Sequence, residues 1–74
     1  MSKLSPLKSE EVVRRLRKLG FEGPIPGGRH ARMIHPVKHQ IVPIPVHRGK
    51  DVSVGLIRAI LRQITITPEE WNNL

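Results

Sequence analysis

The stretch RHARMIHPVKHQIVPIPVH, residues 29–47, predicts two strands joined by a short turn. We interpret residues 29–35 as one strand, 36–39 as the connection and 40–47 as the next strand. A connection this short makes the two strands antiparallel neighbours. Successive side chains of a strand point to opposite faces. In the second strand one face would carry Val42, Ile44 and Val46, and the other Ile41, Pro43, Pro45 and His47.

The residues before this pair predict a helix and a first strand. Helical spacing of the apolar side chains, with Ser9 as the N-cap and Gly20 as the terminating glycine, favours a helix over residues 9–19. Residues 21–25 follow as a short strand. This strand contains proline, which has no backbone N–H, so we expect it at the edge of a sheet. The helix's apolar stripe comprises Val12, Val13, Leu16 and Leu19.

Two further helices are predicted after the strands. We predict a loop over residues 48–52 and a helix over residues 53–63, with Ser53 as its N-cap. Residues 67–70, TPEE, are a helix start signal in which threonine is the cap and the second glutamate completes a capping box. The short helix over residues 68–73 would allow Trp71 to cover the core.

The element order α-β-β-β-α-α predicts an α+β fold. We expect a three-stranded antiparallel sheet with the helices on one face and a short additional C-terminal helix. The chain would be one domain, residues 1–74, with residues 1–8 as a flexible lead-in. The helix-free face of the sheet is open to water and could accept a flat ligand such as an RNA duplex.

Composition limits the classes of function. Thirteen Lys and Arg against six Asp and Glu give a formal charge of +7, which favours a polyanionic partner, nucleic acid first. The chain has no cysteine, so a disulfide scaffold, a thiolate zinc site and a cysteine nucleophile are excluded. The first residues are polar and no apolar run follows them. We therefore expect a cytoplasmic protein with no signal peptide and no membrane partner.

The four histidines, His30, His35, His39 and His47, are the side chains that titrate nearest to neutral pH. A metal site is disfavoured, since odd spacing places His30 and His35 on opposite faces of a strand and no carboxylate lies nearby. We therefore predict neither a metal nor another cofactor. For His35 and His39 we favour a structural role at the turn.

The third interpretation of these histidines is acid–base catalysis. RNA carries its own nucleophile, the 2′-hydroxyl, so cleavage needs a base, an acid and cations on the phosphate. His30 fits best, since it follows the glycine pair Gly27-Gly28 and lies between Arg29 and Arg32.

Three motifs resemble those of one family. They are GRHARMIHP at residues 28–36, VPIPVHRGK at 42–50 and GLIRAILRQ at 55–63. Together with the basic first helix ending in LGF, they are similar to the HicA family of toxins, also called YcfA-like. The resemblance covers residues 9–74, nearly the whole chain.

The resemblance implies a fold like that of the double-stranded-RNA-binding domain, α-β-β-β-α. It also implies a toxin of a type II toxin–antitoxin system that cleaves mRNA without a metal. The family's essential histidine corresponds to His30. The implied partners are mRNA and a HicB-type antitoxin that covers the face around His30.

The chain departs from the family pattern near this histidine. Arg29 replaces the family's serine, Met33 replaces an aromatic residue, and residues 37–39 replace an Asp-Gly turn. Arg29 could hold phosphate or could crowd His30. The alternative function is therefore a non-catalytic double-stranded-RNA-binding module of the same fold.

Several basic residues could hold the RNA phosphates. The alternative interpretation, a solvated helix surface, applies to several of Arg14, Arg15, Arg17 and Lys18 on the first helix. His47 is either a second acid or base, or a packing residue before the loop. The phosphate-binding candidates are Arg29, Arg32, Lys38, Arg48 and Lys50.

Overall fold

A computed structural model describes residues 2–27, 30–45 and 51–74 of the chain, and all structural statements concern these residues. Within them the elements run β1 (Leu7–Lys8), α1 (Ser9–Lys18), β2 (Glu22–Gly27), β3 (His30–His35), β4 (Gln40–Pro45), β5 (Asp51–Val52), α2 (Val54–Ile64) and α3 (Pro68–Asn72). The predicted α+β class and element order are confirmed, and β1 and β5 are additional short strands.

The central sheet is the predicted antiparallel meander, in the order β2-β3-β4. On the middle strand, Arg32 pairs with Ile25 on one side and with Pro43 on the other. The register between β3 and β4 is continuous from end to end, whereas that between β2 and β3 shifts between Glu22 and Ile25. The edge strands contain Pro24, Pro26, Pro43 and Pro45, so each edge of the sheet lacks backbone donors at two positions.

The two faces of the sheet differ sharply in burial. On β3, Ala31, Met33 and His35 are buried, while His30 and Arg32 are exposed. We call the buried side the inner face. The other side, the outer face, carries Glu22, Ile25, Gly27, His30, Arg32, Ile34, Ile41, Pro43 and Pro45.

The helices cover the inner face, as the sequence predicts. One core cluster joins Met33, Val42 and Ile44 of the sheet to buried side chains from all three helices. Trp71 of α3 is only 1% exposed and closes this cluster, as expected. The helical members are Val12, Leu16, Ile57, Ile60, Leu61, Ile64 and Trp71. None of the helices in the described parts of the chain has the length and apolar content needed to cross a membrane.

The predicted caps of the two C-terminal helices are confirmed. The hydroxyl of Ser53 accepts a hydrogen bond from the N–H of Leu56 at 3.2 Å. The Thr67 hydroxyl accepts from the Glu70 N–H at 3.1 Å, and the Glu70 carboxylate accepts from the Thr67 N–H, which is a complete capping box.

The predicted cap of α1 is wrong by one residue. Lys8 occupies the N-cap position and makes no side-chain capping bond. Ser9 is already helical, and its hydroxyl donates instead to the carbonyl of Pro45 at 3.0 Å. The cause is the pairing of β1 with β5, which keeps the chain extended through Lys8 and delivers Ser9 to the end of β4.

This β1–β5 pair was not anticipated in the sequence, where residues 1–8 suggest a lead-in and 48–52 a loop. Two-residue strands carry too little alternation to be detected. Leu4 and Leu7 pack against the core cluster, so the apolar side chains of this segment are used in the fold.

The end of α1 is fitted closely to a buried histidine. Gly20 has φ +99°, a conformation that favours glycine, and a Cβ at this position would lie 2.8 Å from Nε2 of His35. The His35 ring contacts Phe21 edge to face, and its Nδ1 accepts a hydrogen bond from the N–H of Lys38 at 3.1 Å. His35 is therefore a structural residue that joins α1, β3 and the following turn.

Gly20→Ala should destabilise the protein by about 2 kcal/mol or more, since it combines left-handed backbone strain with a steric clash. Gly55→Ala is the matched control, because Gly55 lies in the first turn of α2, where a Cβ would make only an ordinary contact at 4.0 Å with Oγ of Ser53. We expect that control to stabilise the protein by at most about 0.5–1 kcal/mol, the gain for a helix interior. Thermal and urea unfolding measure both, and equal effects would contradict this account of Gly20.

The arginines of α1 bind groups within the protein. The carboxylate of Glu11 accepts hydrogen bonds from Arg14 and Arg15, and Arg15 also lies over the Trp71 ring at 5.4 Å. Arg14 donates to the carbonyl of Leu74 as well. Hydrogen bonds from Arg14, then from Arg15, lower the pKa of Glu11 to about 2. This cluster ties α1 to the C-terminal residues.

Glu11→Gln should lower the melting temperature at pH 7, because the carboxylate is stabilised as an anion in the folded state. A depressed folded pKa adds stability that is present above the unfolded value of 4.5 and is lost as the pH falls through about 2. The difference between parent and variant should therefore shrink between these values. Circular dichroism melts across pH measure it.

Glu10→Gln is the control for this experiment. Glu10 lies in the same first turn of α1 but forms no ion pair among the described residues. A loss of stability with the same size and pH dependence in Glu10→Gln would show that helix-dipole effects, not the arginines, account for the result.

Candidate active site

His30 is the first residue of β3 and lies on the outer face. Its register partners are Gly27 on β2 and Pro45 on β4, and its side chain is exposed. Because side chains of a strand alternate, burial of Ala31 on the inner face forces His30 outward. The imidazole can therefore meet a ligand in solution.

Arg32 follows two positions later on the same strand and the same face. Its Cα is roughly 6.6 Å along the strand from that of His30. A Cβ added to Gly27 would lie 3.3 Å from Nε and 3.5 Å from Nη2 of Arg32, so the guanidinium lies close over this glycine. Since Gly27 is the register partner of His30, the cation reaches towards the histidine end of the sheet.

A shallow pocket of about 460 Å³ surrounds these two side chains. Its volume is within the range of small-molecule binding pockets. Leu56 of α2 contributes one wall and the prolines of β4 form an apolar floor. The lining residues are Gly27, His30, Arg32, Pro43, Pro45 and Leu56. The pocket thus places a proton-transfer group and a permanent cation over an apolar floor.

Lys38, expected among the phosphate-binding residues, lies at the other end of β3. It is exposed in the turn after His35, and its N–H is bound to the ring of that histidine. The six residues of β3 separate the two ends by roughly 16 Å. Of the predicted candidates in the described residues, the structure therefore brings Arg32 to His30 and keeps Lys38 away.

The remaining histidines of the described residues play no part in the pocket. His35 is on the inner face, as the odd spacing from His30 predicts, and His39 is exposed in the turn with φ 55°. Within residues 2–27, 30–45 and 51–74, no three His, Asp or Glu side chains gather as potential metal ligands. Four predicted site residues, Arg29, His47, Arg48 and Lys50, lie outside the described residues.

The pocket includes residues that the sequence-based interpretation did not assign to the site. The sequence pattern places Pro43 and Pro45 on one face of their strand without indicating a role in the site, and Leu56 stands only within the motif at residues 55–63. Alternation along the strands could have predicted the two prolines in the site, since it places them on the same face as His30. Leu56 has no such signal, because its contribution depends on how α2 packs beside the sheet.

A second, larger groove of about 620 Å³ lies on the other side of the sheet, between α1 and β2. Its apolar surface comes from Val13, Pro24, Ala31 and Ile44, and Arg17 and Lys18 line its rim. Glu10 also lines it, but no histidine does among the described residues. Because the predicted acid–base group is a histidine, we place the candidate active site at the smaller pocket around His30.

Comparison with known proteins identifies the family. None of the curated proteins matches the chain significantly. A family model described as the HicA toxin of bacterial toxin–antitoxin systems matches residues 9–66, which is well over half of the chain. The matched region begins at α1 and includes β3, with His30 and Arg32, and all of α2. The chain therefore belongs to the HicA toxin family of bacterial toxin–antitoxin systems.

Proposed function

We propose that this toxin is an endoribonuclease that cleaves mRNA without a metal, with His30 as the acid–base group. The observation that carries the proposal is that exposed His30 lines one pocket with Arg32, whose guanidinium lies over Gly27. A proton-transfer group next to a fixed cation matches the needs of phosphodiester cleavage. The formal charge of +7 supports a polyanionic substrate.

In the proposed reaction the RNA supplies the nucleophile. His30 takes the proton of a 2′-hydroxyl, the oxygen bonds to the adjacent phosphorus, and the bond from phosphorus to the 5′-oxygen breaks. The leaving oxygen receives a proton from a second acid, for which His47 is the candidate, and the products carry a 2′,3′-cyclic phosphate and a 5′-hydroxyl. Arg32 would stabilise the charge that develops on the phosphate oxygens.

Other basic residues complete the proposal. Arg29 is its neighbour in sequence, and His47 is the candidate for the second acid or base. Arg48 and Lys50 are candidates for phosphate contacts. Lys38, at the far end of β3, would bind a phosphate further along the same RNA strand.

His30→Ala should reduce cleavage of a labelled mRNA at least 100-fold in the presence of EDTA, because it removes the proton-transfer group. His39→Asn is the matched control. It removes an exposed histidine at the other end of the sheet, and asparagine tolerates the positive φ of that position. The control should cleave as the parent does, and circular dichroism should show both variants folded.

Two outcomes of this assay would overturn the ribonuclease proposal. If His30→Ala cleaves as fast as the parent, His30 is not the acid–base group. If the parent binds RNA in a salt-dependent manner without cutting it, the chain is a binding module.

Met33, one departure from the family pattern, is fully buried on the inner face. Its replacement of an aromatic residue is thus a change in the core, and Arg29 remains the departure beside His30.

We further propose that a HicB-type antitoxin binds the outer face and covers His30. An acidic partner would complement the charge of Arg32 and exclude RNA from the pocket. Arg32→Glu should then weaken the complex with the antitoxin by about tenfold or more, since it reverses a charge inside the interface. Isothermal titration calorimetry measures the effect.

Lys18→Glu is the matched control for the antitoxin experiment. Lys18 is exposed on α1 at the rim of the groove on the opposite side of the sheet. The two variants carry the same net charge, so a general loss of attraction affects both equally. A larger loss in Lys18→Glu would place the antitoxin on the helical side.

A further inference from the structure

Among the described residues, the floor of the His30 pocket is apolar, although its expected ligand is a polyanion. Pro43 and Pro45 alternate along β4 and turn their rings to the outer face, and Leu56 stands at the side. A site that held only phosphate would need polar donors there instead. The apolar floor requires a ligand with an apolar surface next to its charge.

A nucleotide has both parts. The face of a nucleobase is flat and apolar, and the adjoining phosphate is an anion. We propose that this pocket binds one unstacked nucleobase of the RNA, packed on the rings of Pro43 and Pro45, with its phosphate beside Arg32. This inference rests on the proposed function and names the part of the RNA that the site holds.

A peptide added to the sheet as an extra strand fits this pocket less well. A peptide that joins the sheet as an extra strand needs backbone donors at a sheet edge, but prolines interrupt both edge strands. The apolar floor lies inside the outer face, next to a cation, and not along an edge. The geometry therefore favours a flat group that enters from solvent and brings negative charge with it.

The proline floor replaces the aromatic platform that single-strand binders use. The two aromatic side chains other than histidine, Phe21 and Trp71, are 4% and 1% exposed and cannot stack on a base. A base in the pocket must leave its own stack, so the site selects unpaired RNA. Proline rings offer no hydrogen bonds, so the floor accepts any of the four bases.

The test compares two single strands of equal length and charge. One is an RNA 12-mer with 2′-O-methyl groups, which cannot be cleaved, and the other is the same strand with abasic sites throughout. The parent should bind the strand with bases roughly fivefold more tightly, the lower end of what one stacked base contributes. Fluorescence anisotropy at fixed salt gives both dissociation constants.

Pro43→Ala should abolish this preference and leave binding to the abasic strand unchanged. Ile41→Ala is the matched control, since Ile41 is 49% exposed on the same face of the same strand and lies outside the pocket. It should retain the preference of the parent. Circular dichroism melts establish that both variants are folded under the conditions of the assay.

Three results would overturn the nucleobase pocket. They are equal binding of the two strands by the parent, the same loss in Ile41→Ala as in Pro43→Ala, and tighter binding of an RNA duplex than of the single strand. Because the strands cannot be cut, these results do not depend on catalysis. A parent that shows the base preference but fails to cleave ordinary mRNA would refute the ribonuclease and leave the pocket standing.

Discussion

The register between β3 and β4 decides where the chemistry of this protein lies. Side chains of a strand alternate between two faces, so a slip by one residue would bury His30 and Arg32 and expose Met33. The helices cover one face alone. Every feature of the candidate site therefore depends on the continuous pairing of His30 with Pro45 through His35 with Gln40.

Two features near the turn hold this register. His35 accepts a hydrogen bond from the Lys38 N–H and fixes the start of the turn, and His39 completes the turn with a positive φ.

At the other end of β4, the prolines determine which edge of the strand can pair, because they have no backbone N–H. Pro43 and Pro45 are two residues apart, so both gaps fall on one edge of the strand, and the continuous ladder with β3 places that edge outward. The same prolines oppose pairing with another chain.

The sequence was sufficient for the parts of the fold that carry periodicity or a capping signal. Alternation along β4 predicted that Val42 and Ile44 lie on one face, and the residues TPEE predicted the capping box of α3. The β1–β5 pair could not be predicted because its strands are only two residues long. Because of this pair, the N-cap of α1 is Lys8 and not the predicted Ser9. In the site, local sequence favoured His30 and Arg32 together, and the predicted strand over residues 29–35 already implied that Lys38, in the connection, lies at the end opposite His30.

The distribution of arginines explains how so small a basic protein can have both a stable fold and a binding face. On α1, Arg14 and Arg15 bind Glu11 and the C-terminal residues, and Arg17 donates two hydrogen bonds to the carbonyl of Gly23. These cations already have partners within the protein, so a polyanion would have to compete with them. Arg32 lies over a glycine on the open face instead, where its guanidinium can meet an incoming phosphate. Net charge attracts the ligand to the whole molecule, and the arginines already bound on α1 are less available to hold it than Arg32 on the sheet.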